Sequence, residues 1–372
     1  MNENSKIYVA GHRGLVGSAI VRKLKEMNYA DIVTRTSREL DLRIQTDTER
    51  FFECERPDYV FLAAAKVGGI LANDTYKADF IYDNLTIATN VIHSAYKYGA
   101  KKLLNLGSSC IYPKLAPQPM KEEHLLAGPL ESTNEPYAVA KIAAIKLCRY
   151  YNEQHGTNFI SVMPTNLYGI GDGFDLKNSH VLPALIRKMH LGKCLLKGDF
   201  GAIKKDLQRC PLDGGDVSQM TDEDIAEKLS MYGIRTSVAS SPITNHESQT
   251  TVVGLWGTGE PYREFLYVDD AADACVFLMK DIDAARLTDY DLRLTDYFIN
   301  IGTGIDQTIR ELAGIVRDVV GFEGEIAWDT SKPNGTPRKL LDVSRIRSLG
   351  WKPKIDLKEG IRMTYEWYLN RE

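Results

Sequence analysis

A glycine-spaced turn after the first apolar run constrains the fold of this chain more than any other feature. Residues 6–10 are Lys-Ile-Tyr-Val-Ala, Gly11, Gly14 and Gly17 follow, and apolar residues then recur at helical spacing from Val16 to Met27. Glycines at this spacing allow a tight strand-to-helix turn, and they let a pyrophosphate approach backbone N–H groups at the positive end of the helix. The pattern predicts a dinucleotide site, the alternative being a purely structural turn.

Apolar runs and helical patterns alternate through the first half of the chain. Continuous apolar runs suit parallel strands that are covered on both faces, and repeated βα units give right-handed crossovers. We therefore expect an α/β fold with a doubly wound parallel sheet. The predicted strands are 6–10, 31–34, 59–63, 102–107 and 159–162, and the predicted helices between them are 16–27, 47–55, 84–98 and 137–154.

The regular alternation fails beyond Val162. We expect residues 1–165 to form mainly the NADP-binding Rossmann domain, and residues 166–372 to form a smaller α/β substrate-binding lobe interleaved with elements that complete that domain. Residues 197–250 are rich in charge and look like an insertion with one helix near Thr221–Tyr232. Three further helices are predicted at 269–280, 309–320 and 357–369.

Composition excludes several classes of protein. The 372 residues include 46 basic and 50 acidic side chains, a net charge of −4, which gives no broad electrostatic reason to bind nucleic acid or an anionic membrane. The six cysteines have no CxxC spacing, so neither a disulfide scaffold nor a metal site is expected. Residues 1–5 are polar and the chain has no long apolar segment, so we expect a cytoplasmic protein.

Cationic residues at the end of the second predicted strand favour NADP(H) over NAD(H). An NAD site usually has an acidic residue there for the ribose hydroxyls, whereas this chain has Arg35 and Arg38. Together with Arg13 in the glycine turn, they can pair with a ribose 2′-phosphate. Alternatively, these arginines only solvate a surface turn.

Two kinds of chemistry meet in the next set of residues. Tyr137 and Lys141 lie one helical turn apart, so the ammonium can favour the ionised phenol and make Tyr137 a proton donor at neutral pH. Ser108, at a strand end, can donate to the same substrate oxygen, and Cys110 adds a possible acid or base. Reduction alone does not need a thiol. The plainer alternatives are a buried inert cysteine and an exposed Tyr–Lys pair.

The glycine turn, the strand-end serine and Tyr-x-x-x-Lys resemble the extended short-chain dehydrogenase/reductase family. Longer strings make the chain similar to the GDP-L-fucose synthase family over nearly its whole length outside the insertion. These strings are residues 63–69, 107–113, 133–138, 163–169, 178–180, 263–265 and 335–342.

The resemblance implies NADPH-dependent 3,5-epimerisation and 4-keto reduction of GDP-4-keto-6-deoxy-D-mannose to GDP-L-fucose. Cys110 matches the epimerisation base and His180 the acid, whereas Ser108, Tyr137 and Lys141 match the reduction set. Nearby cations are expected to lower the pKa of the Cys110 thiol, and a histidine titrates close to neutrality, so both epimerisation roles are possible at pH 7. By the same resemblance, the cofactor contacts are Gly11, His12, Arg13, Gly14, Leu15, Val16, Gly17, Arg35, Arg38, Lys141, Asn166 and His180.

The substrate side needs cations for the diphosphate and an aromatic ring for the base or the sugar. The matching and candidate residues are Lys188, Trp256, Arg263, Arg338 and Lys339, with Arg187 as a further candidate. The resemblance also implies a homodimer, for which the predicted helices at 84–98 and 137–154 are the expected contact.

Several alternatives stay open at this point. The insertion at 197–250 resembles one found in relatives that act on GDP-4-keto-6-deoxy-heptoses, so the same chemistry, or reduction alone, on a heptose is the second hypothesis. The insertion could equally be a solvent-facing decoration or an oligomer contact. A non-catalytic NADP sensor would need none of the catalytic set, and a dehydratase would normally have an acid pair where this chain has Ser109 and Cys110.

Overall fold

The computed structural model describes residues 1–212, 217–240, 247–288, 296–332 and 334–371. Its strands are β1 (Ile7–Ala10), β2 (Ile32–Val33), β3 (Tyr59–Leu62), β4 (Lys102–Leu106), β5 (Phe159–Pro164), β6 (Asn166–Tyr168), β7 (Ile234–Ser240), β8 (Glu247–Trp256), β9 (Tyr262–Tyr267), β10 (Phe298–Ile301), β11 (Asp306–Thr308), β12 (Glu325–Asp329) and β13 (Arg338–Lys339).

The helices of the same residues alternate with these strands. They are α1 (Leu15–Glu26), α2 (Gln45–Glu55), α3 (Ile70–Thr75), α4 (Lys77–Lys97), α5 (Glu135–His155), α6 (Val181–Leu196), α7 (Phe200–Arg209), α8 (Asp222–Met231), α9 (Val268–Asp281), α10 (Ile309–Val320), α11 (Ser344–Ser348) and α12 (Leu357–Asn370). Over the described ranges, every helix is too short or too polar to cross a membrane.

The chain divides into two compact units, each made of three segments. The first unit contains Met1–Gly171, Glu264–Asp306 and Lys339–Leu357, and the second contains Asp172–Arg263, Gln307–Arg338 and Lys358–Glu372. Because the chain passes repeatedly from one unit to the other, neither unit is a continuous stretch of sequence.

A six-stranded sheet organises the first unit. Its strand order is β10-β5-β4-β3-β1-β2, and every pair of neighbouring strands is parallel. Side chains of a strand alternate between the faces, so Ile7 packs with α1 and α9, whereas Tyr8 packs with α2, α4 and α5. Both faces are therefore covered by helices, and the predicted doubly wound sheet is confirmed.

Element boundaries differ from the predictions in two places of this unit. Strand β2 is two residues long, although residues 31–34 were expected to be extended. Helix α4 begins at Lys77 rather than at residue 84, and its first two turns include the buried Phe80 and Asp83. Polar residues in those turns hide the helical pattern, because exposed positions carry no apolar periodicity.

A three-stranded sheet and a cluster of helices form the second unit. β8 is the central strand, with β12 parallel on one side and β7 antiparallel on the other. Helix α6 packs on this sheet at Gly192, where an added Cβ would lie 2.8 Å from a Val253 methyl group and 3.0 Å from the Phe322 ring. The glycine therefore sets the distance between helix and sheet.

The predicted insertion is part of the core of the second unit. Its described residues contain the helices α7 and α8, the strand β7 and the start of β8, where the sequence predicted one helix. Residues 213–216 and 241–246 of the insertion lie outside the described residues. Its buried side chains join those of α6 in one cluster that includes Leu191, Ile203, Leu207 and Ile225. A solvent-facing decoration would not bury such a cluster.

A buried ion pair fastens the insertion to α6. Arg187 is fully buried, and its Nε donates to Asp206 Oδ1 on α7 at 2.8 Å. The same guanidinium donates to the Phe174 carbonyl oxygen at 3.0 Å and to the Cys210 carbonyl oxygen. Asp206 also accepts from the Tyr368 hydroxyl of α12. The expectation that Arg187 holds a substrate diphosphate is wrong, because its donors are occupied inside the protein.

Removal of the Asp206 carboxylate would leave the Arg187 charge buried and unpaired. We expect Asp206→Ala to lower the free energy of unfolding by about 3 kcal/mol or more, as for other broken buried pairs. The measurement is urea and thermal unfolding.

The exposed pair of Arg317 with Asp318, at 3.2 Å, gives a matched control. Asp318→Ala should change stability by no more than about 0.5 kcal/mol, because solvent screens exposed pairs. Equal effects of the two substitutions would show that Asp206 has no special structural role.

Candidate active site

The glycine turn is shaped by close contacts between backbone segments. Gly11 has φ +81°, and a Cβ there would lie 2.7 Å from the Ala64 nitrogen. A Cβ on Gly17 would lie 2.1 Å from the Gly11 carbonyl oxygen, whereas a Cβ on Gly14 would keep 3.4 Å from that atom. Gly11 and Gly17 are therefore required by the fold of the turn, but Gly14 is not.

The residues around this turn fit a dinucleotide. Gly14 caps helix α1, so unpaired N–H groups and the positive end of the helix dipole face the place where a pyrophosphate would lie. His12 Nδ1 is buried, and no hydrogen-bond partner is found for it within the described part of the chain. Desolvation and the nearby Arg13 charge lower the pKa of His12. A neutral imidazole with an unused ring nitrogen suits contact with a bound ligand.

The three arginines expected at a 2′-phosphate differ in their surroundings. Arg35 Nη2 pairs with Glu55 Oε1 at 2.6 Å, and its Nη1 donates to the Thr34 carbonyl oxygen at 2.8 Å. Arg13 and Arg38 have exposed side chains. A phosphate would therefore compete with a carboxylate for Arg35, whereas the other two can turn toward it.

The serine and the cysteine lie on a short turn after β4. Gly107 N–H donates to the Val162 carbonyl oxygen at 2.8 Å, which extends the strand pairing to the residue before Ser108. Ser108 Oγ then accepts from the Cys110 N–H at 3.4 Å at the start of a 3₁₀ turn over Ser109–Ile111. Ser108 is partly exposed, whereas Cys110 is 7% exposed.

Helix α5 brings Tyr137 and Lys141 to the same place. Lys141 is 6% exposed, and its Nζ donates to the Leu106 carbonyl oxygen, the last of β4, at 2.7 Å. The ammonium lies 5.6 Å from the centroid of the Tyr137 ring, and the Phe80 ring packs edge-on against that ring at 6.4 Å. One strand end and one helix therefore hold Ser108, Cys110, Tyr137 and Lys141.

The expected effect of Lys141 on the phenol is not found. Burial raises the pKa of Tyr137 well above its ordinary value, and the Cys110 thiol adds to the shift. Burial also lowers the pKa of Lys141 to about 8. The prediction of a lowered Tyr137 pKa is therefore wrong in this structure, because desolvation outweighs the ammonium, whose hydrogen bond goes to a carbonyl oxygen.

The expected activation of the thiol is also corrected. Burial raises the pKa of Cys110, and this effect exceeds the opposing effects of the Ser108 hydroxyl and the Lys339 and Lys141 charges. The cations expected near the thiol are present, but desolvation is the stronger effect. Burial therefore favours the neutral thiol of Cys110 over its thiolate.

His180 and Lys188 belong to helix α6 of the second unit. His180 is the residue before the helix, is exposed, and has a pKa lowered by partial desolvation. Lys188 is half-buried, donates to the Gly254 carbonyl oxygen at 2.9 Å, and has a pKa lowered by burial to about 8. A desolvated ammonium is suited to bind an anion.

The other predicted substrate residues of this unit lie near the ends of β8 and β9. Trp256 is 69% exposed, with the Lys332 ammonium 5.6 Å from its ring centroid. Arg263 donates to the Tyr262 carbonyl oxygen at 2.7 Å, and the Arg338 guanidinium lies 5.7 Å from the Tyr262 ring. These exposed rings and cations form a surface that suits a nucleoside diphosphate.

Two predicted residues belong to the first unit. Asn166 donates through Nδ2 to the Glu264 carbonyl oxygen at 2.8 Å, so part of its amide is engaged in the protein. Lys339 lies close enough to Cys110 to favour its thiolate. Lys339 was expected to bind the diphosphate. Its position also lets its positive charge oppose the rise in the pKa of the Cys110 thiol.

Sequence reasoning missed the Leu106 carbonyl oxygen and the ring of Phe80. The first belongs to the backbone of a buried strand, and the second to a turn of α4 that was not predicted as helix. A chemical motif search finds neither of them, because one is a main-chain atom and the other is an apolar side chain.

The fold and the residues at the end of β4 are those of an epimerase, dehydratase or reductase that uses a nicotinamide dinucleotide cofactor. Residues 7–206 and 230–292 match the model of the NAD dependent epimerase/dehydratase family, so the chain belongs to that family. Within this large class, individual relatives narrow the kind of enzyme further.

The chain is similar over nearly its whole length to GDP-L-fucose synthases. It is 51% identical over 369 residues to a putative GDP-L-fucose synthase 2 of Arabidopsis thaliana, covering 99% of this chain and 93% of the relative. It is 46% identical to the GDP-L-fucose synthase of Escherichia coli strain K12, covering 99% and 97%. The chain therefore belongs with the GDP-L-fucose synthases, as NADP-dependent epimerase/reductase enzymes.

A solved structure adds the cofactor. The chain shares 42% identity and a TM-score of 0.87 with a GDP-D-glycero-L-gluco-heptose synthase from Campylobacter jejuni, solved in the presence of NADPH, and 99% of each chain is covered. The NADP(H) prediction is confirmed at the level of the family.

Substitutions at two glycines of the turn should separate an effect on folding from an effect on cofactor binding. Gly17→Ala should lower the midpoint of thermal unfolding because its Cβ would collide with the Gly11 carbonyl oxygen. Gly14→Ala should leave that midpoint near the wild-type value but weaken NADPH binding by about tenfold or more, because the new methyl group stands between the backbone and the pyrophosphate.

Thermal unfolding and fluorescence titration with NADPH measure the two effects. Unchanged NADPH affinity in Gly14→Ala would place the pyrophosphate elsewhere.

Proposed function

We propose that this protein converts GDP-4-keto-6-deoxy-D-mannose to GDP-L-fucose by 3,5-epimerisation followed by NADPH-dependent reduction at C4. The observation that carries this proposal is the single strand end that presents both Ser108 and Cys110 beside Tyr137 and Lys141. A reductase alone needs the serine, the tyrosine and the lysine. The buried thiol supplies what epimerisation needs in addition.

Epimerisation uses the acidity that the 4-keto group gives to the protons at C3 and C5. Cys110 removes such a proton to give an enolate, and His180 returns a proton on the opposite face. The raised pKa of the thiol makes it a strong base once ionised, and the nearby Lys339 and Lys141 charges favour that ionised form. The lowered pKa of His180 makes its protonated form a strong acid.

Reduction uses the other members of the same set. NADPH, when bound, supplies the hydride for C4. Tyr137 donates a proton to the developing alkoxide, and Ser108 donates a hydrogen bond to the same oxygen. Burial raises the pKa of Tyr137, which keeps the phenol protonated but makes it a weaker acid, so it gives up its proton only to a strong base such as the developing alkoxide. Lys141, held by the Leu106 carbonyl oxygen, supplies a positive charge to the phenolate that remains.

The rest of the substrate needs cations for its diphosphate and an aromatic ring for its base or sugar. Lys188, Arg263 and Arg338 are proposed to hold the diphosphate, and the exposed Trp256 ring is proposed to stack on the base or the sugar. Burial lowers the pKa of Lys188 to about 8, so most of the amine is charged at neutral pH. A phosphate nearby would favour this charged form further.

Isotope exchange and product analysis test this function. Incubation with NADPH and GDP-4-keto-6-deoxy-D-mannose in heavy water should give GDP-L-fucose with deuterium at C3 and C5, read by NMR. Cys110→Ser should abolish the incorporation, whereas NADPH is still consumed. Retention of both C–H bonds by the wild-type protein would eliminate the epimerase half.

The same reactions on a GDP-4-keto-6-deoxy-heptose are the second candidate function. The likeness to the Campylobacter jejuni heptose synthase, with a TM-score of 0.87, favours it. Separate incubations with the hexose and the heptose decide between the two. Efficient turnover of the heptose alone would overturn the preferred substrate and leave the chemistry of the site unchanged.

We also propose that the protein is a cytoplasmic homodimer. The aromatic side chains Tyr82 on α4 and Tyr150 on α5 are 65% and 53% exposed, which suits a face covered by a second copy. All six cysteines are free thiols, as expected in a reducing compartment. Sedimentation analysis of the wild-type protein and of Tyr82→Glu tests the dimer, and a wild-type monomer would contradict it.

The two halves of the reaction should respond to pH in opposite directions. In His180→Gln, which leaves the thiol as the one titrating group of the exchange, deuterium exchange without NADPH should rise as pH increases toward the thiol pKa, because the Cys110 thiolate is the base. NADPH consumption by Cys110→Ser should fall as pH rises through about 8, because Lys141 then loses its charge.

Initial rates between pH 6 and pH 10 measure both trends. Parallel profiles would show that one group limits both steps.

A further inference from the structure

A buried polar network lies behind the turn that carries Cys110. Tyr112, two residues after the cysteine, is 3% exposed, and its hydroxyl donates to Asn300 Oδ1 on β10 at 2.5 Å. Asn300 is fully buried. Tyr112 lies within the family-like string 107–113, of which the proposed chemistry uses only Ser108 and Cys110.

Asn300 is held rigidly by the chain segments around it. Its Nδ2 donates to the Met120 carbonyl oxygen at 3.0 Å and to the Asp342 carbonyl oxygen at 3.1 Å. Its N–H donates to Glu122 Oε1 at 3.0 Å. The Nδ2 group and the backbone N–H of Asn300 are thus all engaged in hydrogen bonds. The side chain cannot turn freely, so its Oδ1 is a stationary acceptor for the Tyr112 hydroxyl.

The segments that meet at Asn300 also pair with each other. Met120 N–H donates to the Leu340 carbonyl oxygen at 2.8 Å, and Asp342 N–H donates to the Met120 carbonyl oxygen at 2.8 Å. Lys339, whose charge favours the Cys110 thiolate, immediately precedes Leu340. The network thus connects the turn with the segment that brings this lysine toward the thiol.

Ser108 and Cys110 are fixed by different contacts. The bond from Gly107 to Val162 places Ser108 through the strand pairing of β4 with β5. Cys110 lies between Ser108 and Tyr112, on a 3₁₀ turn whose closing bonds, Ile111 N–H to the Ser108 carbonyl oxygen at 3.2 Å and Tyr112 N–H to the Ser109 carbonyl oxygen at 3.4 Å, are long. The Tyr112 hydroxyl therefore makes the shortest hydrogen bond at the far end of the turn, which the buried side chains of Ile111 and Tyr112 also anchor in the core.

We propose that Tyr112 is a positioning residue for the epimerisation base: its hydrogen bond to Asn300 fixes the far end of the turn and with it the Cys110 sulfur, while Ser108 keeps its place through the sheet. The proposal rests on the proposed function. Because proton abstraction from carbon requires close alignment, a shift of about 1 Å in the sulfur is enough to slow it by about a hundredfold. Reduction does not use the sulfur.

Two assays separate the half-reactions in Tyr112→Phe. Deuterium exchange into the 4-keto sugar without NADPH measures the thiol, and NADP⁺-dependent oxidation of GDP-L-fucose to the 4-keto sugar, in which C4–H leaves as hydride to NADP⁺ and the hydroxyl proton goes to Tyr137, measures the reduction set in reverse. Exchange should fall about tenfold or more, and oxidation should stay within about threefold of wild type.

Tyr365→Phe is the matched control. Tyr365 is also buried, and its hydroxyl bonds to His190 Nδ1 at 3.0 Å in the second unit, outside the network. Loss of the Tyr365 hydroxyl should lower the free energy of unfolding by a similar amount. It should leave the ratio of the exchange rate to the oxidation rate unchanged. Asn300→Ala should lower the same ratio, and Tyr112→Phe added to it should lower the ratio no further, because the bond is already absent.

The outcomes distinguish this proposal from the function on which it rests. An equal fall of exchange and oxidation in Tyr112→Phe, or no change in either, would overturn the positioning role. A wild-type protein that catalyses neither assay, with the hexose or the heptose substrates, would instead overturn the proposed function. Thermal unfolding of each variant accompanies the rates, so that a shifted ratio is read only from folded protein.

Discussion

A hydrogen bond between a buried ammonium group and a backbone carbonyl oxygen joins the helix and the strand end that carry the candidate active site. Lys141 on α5 donates to Leu106, the last residue of β4, and Ser108 and Cys110 follow that residue directly. The bond thus fixes the helix that carries Tyr137 against the strand end that carries the other groups. The ammonium is buried, which makes its charge expensive, and burial also desolvates the Tyr137 phenol and the Cys110 thiol. The shifts of the tyrosine and thiol pKa values both follow from this dry environment.

The sequence was sufficient for the parts of the fold that depend on local patterns. Parallel buried strands, the glycine turn and the spacing of Tyr137 and Lys141 all have a period or a motif that one segment carries by itself. Electrostatics was less predictable. Charge pairs can be guessed from spacing, as with Tyr137 and Lys141, but desolvation depends on how many atoms from distant segments surround a group. The expected direction of both pKa shifts was wrong for that reason.

Long-range polar contacts were also beyond sequence reasoning. Arg187 was considered only as a candidate for the diphosphate, and Asp206 lies in the apparent insertion, so the sequence around neither residue indicates a buried pair. The same holds for Tyr112 and Asn300, which are separated by 188 positions. The structure changes the meaning of the insertion in particular. Its helices share a core with α6, the helix that begins after His180 and carries Lys188, so a change in the insertion acts through packing on residues that we propose to bind substrate.

The position of β10 at the edge of the six-stranded sheet has a consequence for how the protein is made. β10 pairs with β5, and Ile299 lies opposite Val162, yet most of the second unit is encoded between these two strands. On the ribosome, β5 emerges long before its partner, so its edge stays unpaired during the synthesis of more than a hundred further residues. The nascent chain therefore exposes an unpaired, aggregation-prone strand edge for a time. The rate at which the intervening segment is synthesised sets how long this exposure lasts.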